Sequence, residues 1–266
     1  MVSISASFTG PQYYNDCLGP LWFDPFAADL VQRLTADPGG AVLEIACGSG
    51  LVTRRLREHL SGSVRLVAVD LSKAMLDYAR AKLTARQDIE WHEADALELP
   101  FDDSEFAAIV CGFGIMFMPD RAAALSEARR VVTEGGILLF NVWDRIEENP
   151  HALAIAEVLE AMFPGDPEMI FRTPYNMGDP DLLRRSLAGA DFRATCIERK
   201  RIPIVGADPR NIATGLIRGT PRATLIEQRR ASLEVVISRA TEALAIAGGD
   251  PYSGQAQAVI VEAVAI

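Results

Sequence analysis

The stretch Ala41-Val42-Leu43-Glu44-Ile45-Ala46-Cys47-Gly48-Ser49-Gly50 decides the architecture. A short apolar run carrying one acid opens into a loop of small residues, after which Val52, Leu56 and Leu60 recur at helical spacing. The pattern predicts a buried strand, a turn that lets the backbone approach a ligand, and a helix whose first N–H groups lack partners.

Outward from this stretch the rhythm repeats. Ser61-Gly62-Ser63 breaks the helix, and 64–69 reads as a second strand. Ser72 is placed to cap a helix with Met75, Leu76, Ala79 and Leu83 on one face. Residues 89–92, 106–111 and 137–143 read as further strands, with a helix from near Pro119 between the last two. Strands alternating with helices in this way predict a doubly wound α/β chain, its mostly parallel sheet covered on both faces. The ligand site then lies beyond the C-terminal strand ends.

The expected organisation has six parts: an N-terminal arm and helix (1–40), a ligand-binding core (41–143), a lid insertion (144–178), a helix and strand of the core (179–205), a helical lid insertion (206–250) and a closing strand (251–266). Within the first part, 1–20 reads as an irregular arm and 21–34 as a helix, stopped by Asp37-Pro38-Gly39-Gly40. In the first lid, 151–163 reads as helix and 169–177 as aromatic and irregular. Further on, 181–188 reads as helix, 192–204 as strand, 208–247 as largely helical and 256–265 as strand.

Composition narrows the function classes. Of 266 residues, 49% are hydrophobic and 23% charged, which is ordinary globular usage. No apolar stretch reaches the roughly 20 residues of a membrane span, and Met1 to Pro11 lacks the pattern of a secretory signal, so the cytoplasm is expected. A net charge of −10, with only Arg199-Lys200-Arg201 as a basic cluster, argues against nucleic-acid partners. Cys17, Cys47, Cys111 and Cys196 form no close pair and the three histidines no zinc spacing, so no metal is expected.

Asp70 follows Gly50 by 20 residues, at the end of the second strand, where an acid can accept both hydroxyls of a ribose. A dinucleotide fingerprint also needs a third glycine, and Thr53 stands there. No Gly-x-x-x-x-Gly-Lys exists. Glu44, just before the loop, suits a cationic ligand better than a pyrophosphate; S-adenosylmethionine carries an ammonium and a sulfonium.

Glu44 to Gly50 resembles the first motif of class I methyltransferases, with Ala46 in place of its first glycine. Residues 69–76 resemble the second motif, 93–101 the third, 106–120 the fourth strand and its loop, and 131–141 the turn into the fifth. The chain is most similar to the methyltransferase type 11 group, which is similar to the ubiquinone/menaquinone C-methyltransferases. The resemblance covers 42–143 well and the rest in outline, and it implies a seven-stranded Rossmann-like sheet that binds S-adenosylmethionine.

It also implies roles. Ala46, Cys47, Gly48 and Gly50 would shape the methionine site, and Glu44 would order the loop or meet the ammonium. Asp70 would hold the ribose; Leu71 and Met75 would pack the adenine; Asp95 and the Ala96 N–H would recognise its edge. Cys111 and Gly112 would face the amino group and the acceptor, and Tyr14 would close over the cofactor. Simpler readings stand beside these: Asp70 as a cap near Ser72, Asp95 as a turn residue, Cys111 as an apolar wall, and Tyr13 and Tyr14 as anchors of the arm.

The expected activity is methyl transfer to O, C or N of a small, fairly apolar acceptor. Met162, Phe163, Met169, Phe171, Tyr175 and Met177 are candidates to line its pocket. Two alternatives are an NAD(P)-dependent reductase, which the absent third glycine and absent Tyr-x-x-x-Lys oppose, and a protein that binds the cofactor without turnover. His92, His151 and Tyr175 are the candidate bases, with none assigned. No motif encodes the acceptor atom or an oligomeric state.

Overall fold

In the computed structural model, which describes residues 10–84 and 88–266, β1 (Ala41–Ile45) lies parallel to both neighbours, β2 (Leu66–Asp70) and β4 (Phe106–Gly112). With β3 (Ile89–Glu93), β5 (Val132–Trp143), β6 (Phe192–Ala207) and β7 (Tyr252–Ala265) the order is β3-β2-β1-β4-β5-β7-β6. Only β7 runs against its neighbours, pairing antiparallel with β5 and β6. The expected seven-stranded, mostly parallel sheet is therefore the one observed. From β1 the chain builds outward to β2 and β3, then returns to place β4 on the other side. This reversal between β1 and β4 is the place where open α/β sheets of this kind form their ligand crevice.

The helices are α1 (Pro11–Tyr13), α2 (Asp24–Gln32), α3 (Leu51–His59), α4 (Lys73–Lys82), α5 (Arg121–Val131), α6 (Pro150–Met162), α7 (Pro180–Ala188), α8 (Pro209–Arg218), α9 (Arg222–Gln228) and α10 (Leu233–Gly248). Their starts follow the expected chemistry. The Ser72 hydroxyl accepts from Met75 N at 3.4 Å, and Asp120 accepts from Ala123 N at 2.9 Å to start α5. Residues 167–177 hold only two single turns, as their irregular pattern predicts. No helix among the described residues is long and apolar enough to cross a membrane.

The arm departs from expectation. Residues 1–9 lie outside the described residues, but from Pro11 the chain is helical through Gln32, where an irregular segment was expected to 20. Tyr14–Phe23 is wound wide, with Asp24 N donating to Gly19 O five residues back. The wide winding reconciles a helix with Pro20, which has no N–H to give. Packing supplies the drive: Cys17, Leu18 and Trp22 are buried, and the segment rests on α8. Strand limits also move, with β2 starting later, at Leu66, while β6 runs on to Ala207 and β7 starts at Tyr252.

Gly215 of α8 is where the arm comes closest, since a Cβ there would stand 2.4 Å from Leu18 Cδ2 and 2.7 Å from Cys17 Cβ. Gly215→Val should therefore lift the arm, costing about 1–3 kcal/mol in urea unfolding. Limited proteolysis should then cut first between Pro11 and Phe23. Unchanged stability and an unchanged cleavage pattern would show that the arm does not depend on this contact.

Candidate functional site

The turn after β1 takes three left-handed residues in five: Ala46 at φ 56°, Gly48 at 55° and Gly50 at 82°. Ala46 pays about 1 kcal/mol for its methyl in that conformation. The methyl has room because residue 114 is a glycine; a Cβ there would lie 2.6 Å from Ala46 Cβ and 2.6 Å from Cys111 Sγ. The loops after β1 and β4 thus interlock, and the substitution of the first glycine is met by a glycine opposite.

Asp70 ties this turn to the next one. Its Oδ2 accepts from Gly48 N and its Oδ1 from Ser72 N, both at 2.8 Å. The capping role and a place in the crevice therefore coexist. Burial raises its pKa, against the pull of those two amides. Each carboxylate oxygen still has a second lone pair for a ligand hydroxyl.

Glu44 is 1% exposed, and its Oε2 has no hydrogen-bond partner among the described residues. Burial, with the Asp70 charge adding, pushes its pKa up to about 8, although contacts from Thr53 oppose this. A carboxyl so placed is neutral near pH 7 and would ionise beside a cation. This unpartnered oxygen fits an ammonium group. Cys47 is buried and its N–H is already spent on Val69 O at 3.0 Å.

Beyond β2, Leu71 is 55% exposed and Met75 half-buried, whereas Leu76 belongs to the core. Ala94 N donates to Asp70 O at 3.2 Å, which brings Asp95 and Ala96 to the same end of the sheet. Asp95 is exposed and spends Oδ1 on Leu97 N at 2.9 Å, holding its own turn. At the end of β4, Cys111 is buried, and that burial pushes its thiol up to about 12. Gly112 leaves the space that Val52 occupies, 2.7 Å from where a Cβ would stand.

An aromatic cluster stands over the ends of β4 and β5. Phe113 lies 4.2 Å from Trp143, centroid to centroid, and Phe23 and Phe26 of the arm contact both. Tyr175 stacks on Trp143 at 5.9 Å, and His151 stacks on Trp22 at 4.4 Å. Tyr14 stacks on Phe23, and burial raises its pKa, with Tyr175 and Asp70 adding to the rise. Tyr13 points away, under Arg218. Among the pocket candidates, Met169, Phe171, Tyr175 and Met177 are buried, and Met162 and Phe163 partly so.

The candidate bases separate. His92 sits on the edge strand against Phe101, away from this cluster. His151 and Tyr175 are in it. Sequence reasoning missed Trp22, Phe23, Phe26, Phe113, Gly114, Asn141 and Trp143. Asn141, whose Oδ1 accepts from Phe113 N at 2.8 Å, had a signal: it is a polar residue inside the apolar run of β5. That bond holds Phe113 at φ 56°.

Residues 42–136 match a family described as a methyltransferase domain. The chain is 30% identical to the demethylmenaquinone methyltransferase of Staphylococcus epidermidis over 110 residues, covering 41% of this chain and 46% of that one. It is 40% identical to the chloroplastic 2-phytyl-1,4-beta-naphthoquinone methyltransferase of Arabidopsis thaliana over 114 residues, 40% and 44% of the two chains. The match thus spans less than half the length of these curated relatives. Among solved structures, a phosphoethanolamine N-methyltransferase 2 of Haemonchus contortus, in complex with S-adenosylhomocysteine, matches 100% of this chain and 60% of its own (TM-score 0.61, 18% identity). The YcgJ protein of Bacillus matches 91% and 98% (TM-score 0.59, 18% identity), and the [4+2]-cyclase SpnF 91% and 81% (TM-score 0.56, 21% identity). These backbones share the fold.

Because the Glu44 pKa is raised from 4.5 to about 8 on folding, the native state holds an extra proton between those values. Its contribution to stability is full below pH 4.5 and is lost as pH rises through 8. Glu44→Gln should remove this slope. Its melting temperature should exceed that of the wild type at pH 9 by several degrees, about the size of a few kcal/mol, and differ little at pH 5. Equal shifts at both pH values in thermal scans would contradict the buried, protonated carboxyl.

Proposed function

We propose that this chain, whose residues 42–136 match a methyltransferase domain, transfers a methyl group from S-adenosylmethionine to a small, apolar, aromatic acceptor of the quinol type. The observation that carries the reading is Glu44: a buried carboxyl beside a left-handed turn, with one unpartnered oxygen, fits an ammonium and opposes a pyrophosphate. When bound, the donor supplies an electrophilic methyl on a sulfonium, so the protein need only align, shield and, for a protic acceptor, take a proton.

The residues divide that work. Glu44 and the turn Ala46, Cys47, Gly48 and Gly50 hold the amino-acid end, with Cys111 and Gly112 as the opposite wall. Asp70 takes the ribose hydroxyls with its spare lone pairs. Leu71 offers an exposed apolar platform for adenine beside Met75, and Asp95 and Ala96 meet the ring edge. Tyr14 closes the site between Asp70 and Tyr175. The segments 144–178 and 206–250 act with the arm as a lid, an arrangement supported by the packing of α10 on both α6 and α8 and of α8 on the arm.

The acceptor class rests on the aromatic cluster and on the naphthoquinone and menaquinone substrates in the relatives' names. A shared fold does not by itself select methyl transfer, as a cyclase on the same fold illustrates. Binding and transfer must both be measured.

In calorimetry, S-adenosylmethionine and S-adenosylhomocysteine should bind and NADH should not. Asp70→Ala should weaken binding about 10- to 100-fold with the fold intact. Near pH 7 the donor should release up to one proton as Glu44 ionises, so the apparent enthalpy should vary with the buffer, and affinity should rise with pH up to about 8. Tighter binding of NADH, or an Asp70→Ala variant with unchanged affinity, would sink the reading.

A further inference from the structure

We infer that His151 and Trp22 form a paired acceptor and donor that grips a ring hydroxyl of the methyl acceptor, with His151 Nε2 taking its proton. The inference rests on the methyl-transfer reading above and goes beyond it by assigning the base and the functional group it serves.

His151 is fully buried at the start of α6, and its Nδ1 lies 3.2 Å from Gln255 O. A carbonyl can only accept, so Nδ1 carries the proton and Nε2 is a bare lone pair. Nε2 is buried with no partner among the described residues, and so is the indole N–H of Trp22, the ring stacked on it. One stacked pair therefore leaves a free acceptor and a free donor in an otherwise apolar cluster. An unpartnered polar group in such a place costs about 1–3 kcal/mol, and here there are two. A single hydroxyl satisfies both, donating to Nε2 and accepting from Nε1.

Location supports the assignment. Trp143 links His151, at 6.3 Å, to Phe113, at 4.2 Å, and Gly114 next to it meets Ala46 in the cofactor turn. The flanking rings suit an aromatic acceptor, whose hydroxyl gives up its proton far more readily than an alcohol does. Burial holds the pKa of His151 down at about 4, opposed by the Gln255 contact, so the ring starts neutral. The anion formed beside it raises its basicity in the same step.

The bonds balance. The O–H bond breaks and its proton passes to Nε2. The electron pair released, on oxygen or on the conjugated ring carbon, forms the bond to the methyl as the carbon–sulfur bond breaks with its pair going to sulfur. Where carbon is methylated, its C–H proton is then lost to water and the imidazolium returns its proton to the oxygen, which restores the aromatic ring. The sulfonium charge is lost and the imidazolium charge gained; Trp22 Nε1 steadies the oxygen throughout.

The test uses 1-naphthol and 1-methoxynaphthalene, which differ in the hydroxyl, with full-length protein saturated with S-adenosylhomocysteine and tryptophan fluorescence as the readout. The wild type should bind the naphthol about tenfold or more tighter than the ether. His151→Phe keeps the stack and should erase that preference while leaving S-adenosylhomocysteine affinity unchanged; Trp22→Phe should reduce it. His151→Gln keeps an acceptor but no base, so it should bind naphthol and lose labelled-methyl transfer by about 10²-fold or more. Thermal scans of each variant establish that it folds. A wild type that does not distinguish the two probes, or a folded His151→Phe that keeps the preference, would overturn the inference. Failure of the wild type to bind S-adenosylhomocysteine would instead overturn the methyl-transfer reading, with the two-probe comparison then read on the free protein.

Discussion

The carboxylate of Asp70, accepting from Gly48 N on one side and Ser72 N on the other, is the bond on which the site depends. It extends the pairing of β1 and β2, which ends with Cys47 N on Val69 O, into the two turns that follow them. Because both donors are backbone amides, the joint fixes chain path and side-chain position together. The turn after β1 can then carry three left-handed residues, Ala46 among them, without the loop drifting. Gly114 completes the lock from the β4 side, so the crevice is built from backbone.

The crevice places two acids where water is scarce. Burial raises the pKa of both, and the Asp70 charge raises that of Glu44 further. A neutral or anionic ligand would leave that strain in place, whereas a cation relieves it. The electrostatics of these two acids therefore favour a cationic ligand over an anionic one. Dinucleotide sites place a helix N-terminus against phosphate; the α3 terminus is present here, yet the nearest side chains reverse the preference.

The central sheet was legible because period-two and 3.6-residue patterns are local, and β1 to β5 are bounded by turn residues that can be read one at a time. The acids were legible for the same reason: Asp70 ends β2, Glu44 is the last residue but one of β1, and Asp95 follows β3 by two residues. The arm was not. Gly19 and Pro20 read as breakers, and the compensating contacts, with Gly215 and its neighbours, lie about 200 residues away in sequence. The aromatic cluster failed for a related reason. Trp22, Phe113, Trp143, His151 and Tyr175 sit in five separate segments, each of which reads alone as ordinary core.

That scatter has a physical consequence for how the two halves of the site divide their tasks. The cofactor half is held by short-range backbone bonds within a parallel sheet, the stiffest part of such a fold. The acceptor half is assembled from the arm, α6 and the 167–177 turns, which meet through side-chain packing. Packing contacts yield at lower free energy than a paired sheet, so on the proposed reading the acceptor half is the more yielding of the two. The buried, unpartnered Nε2 and Nε1 atoms lie in this half, and on the inference above an acceptor hydroxyl satisfies both. An acceptor without that hydroxyl leaves both unpaired, so the same pair discriminates between acceptors.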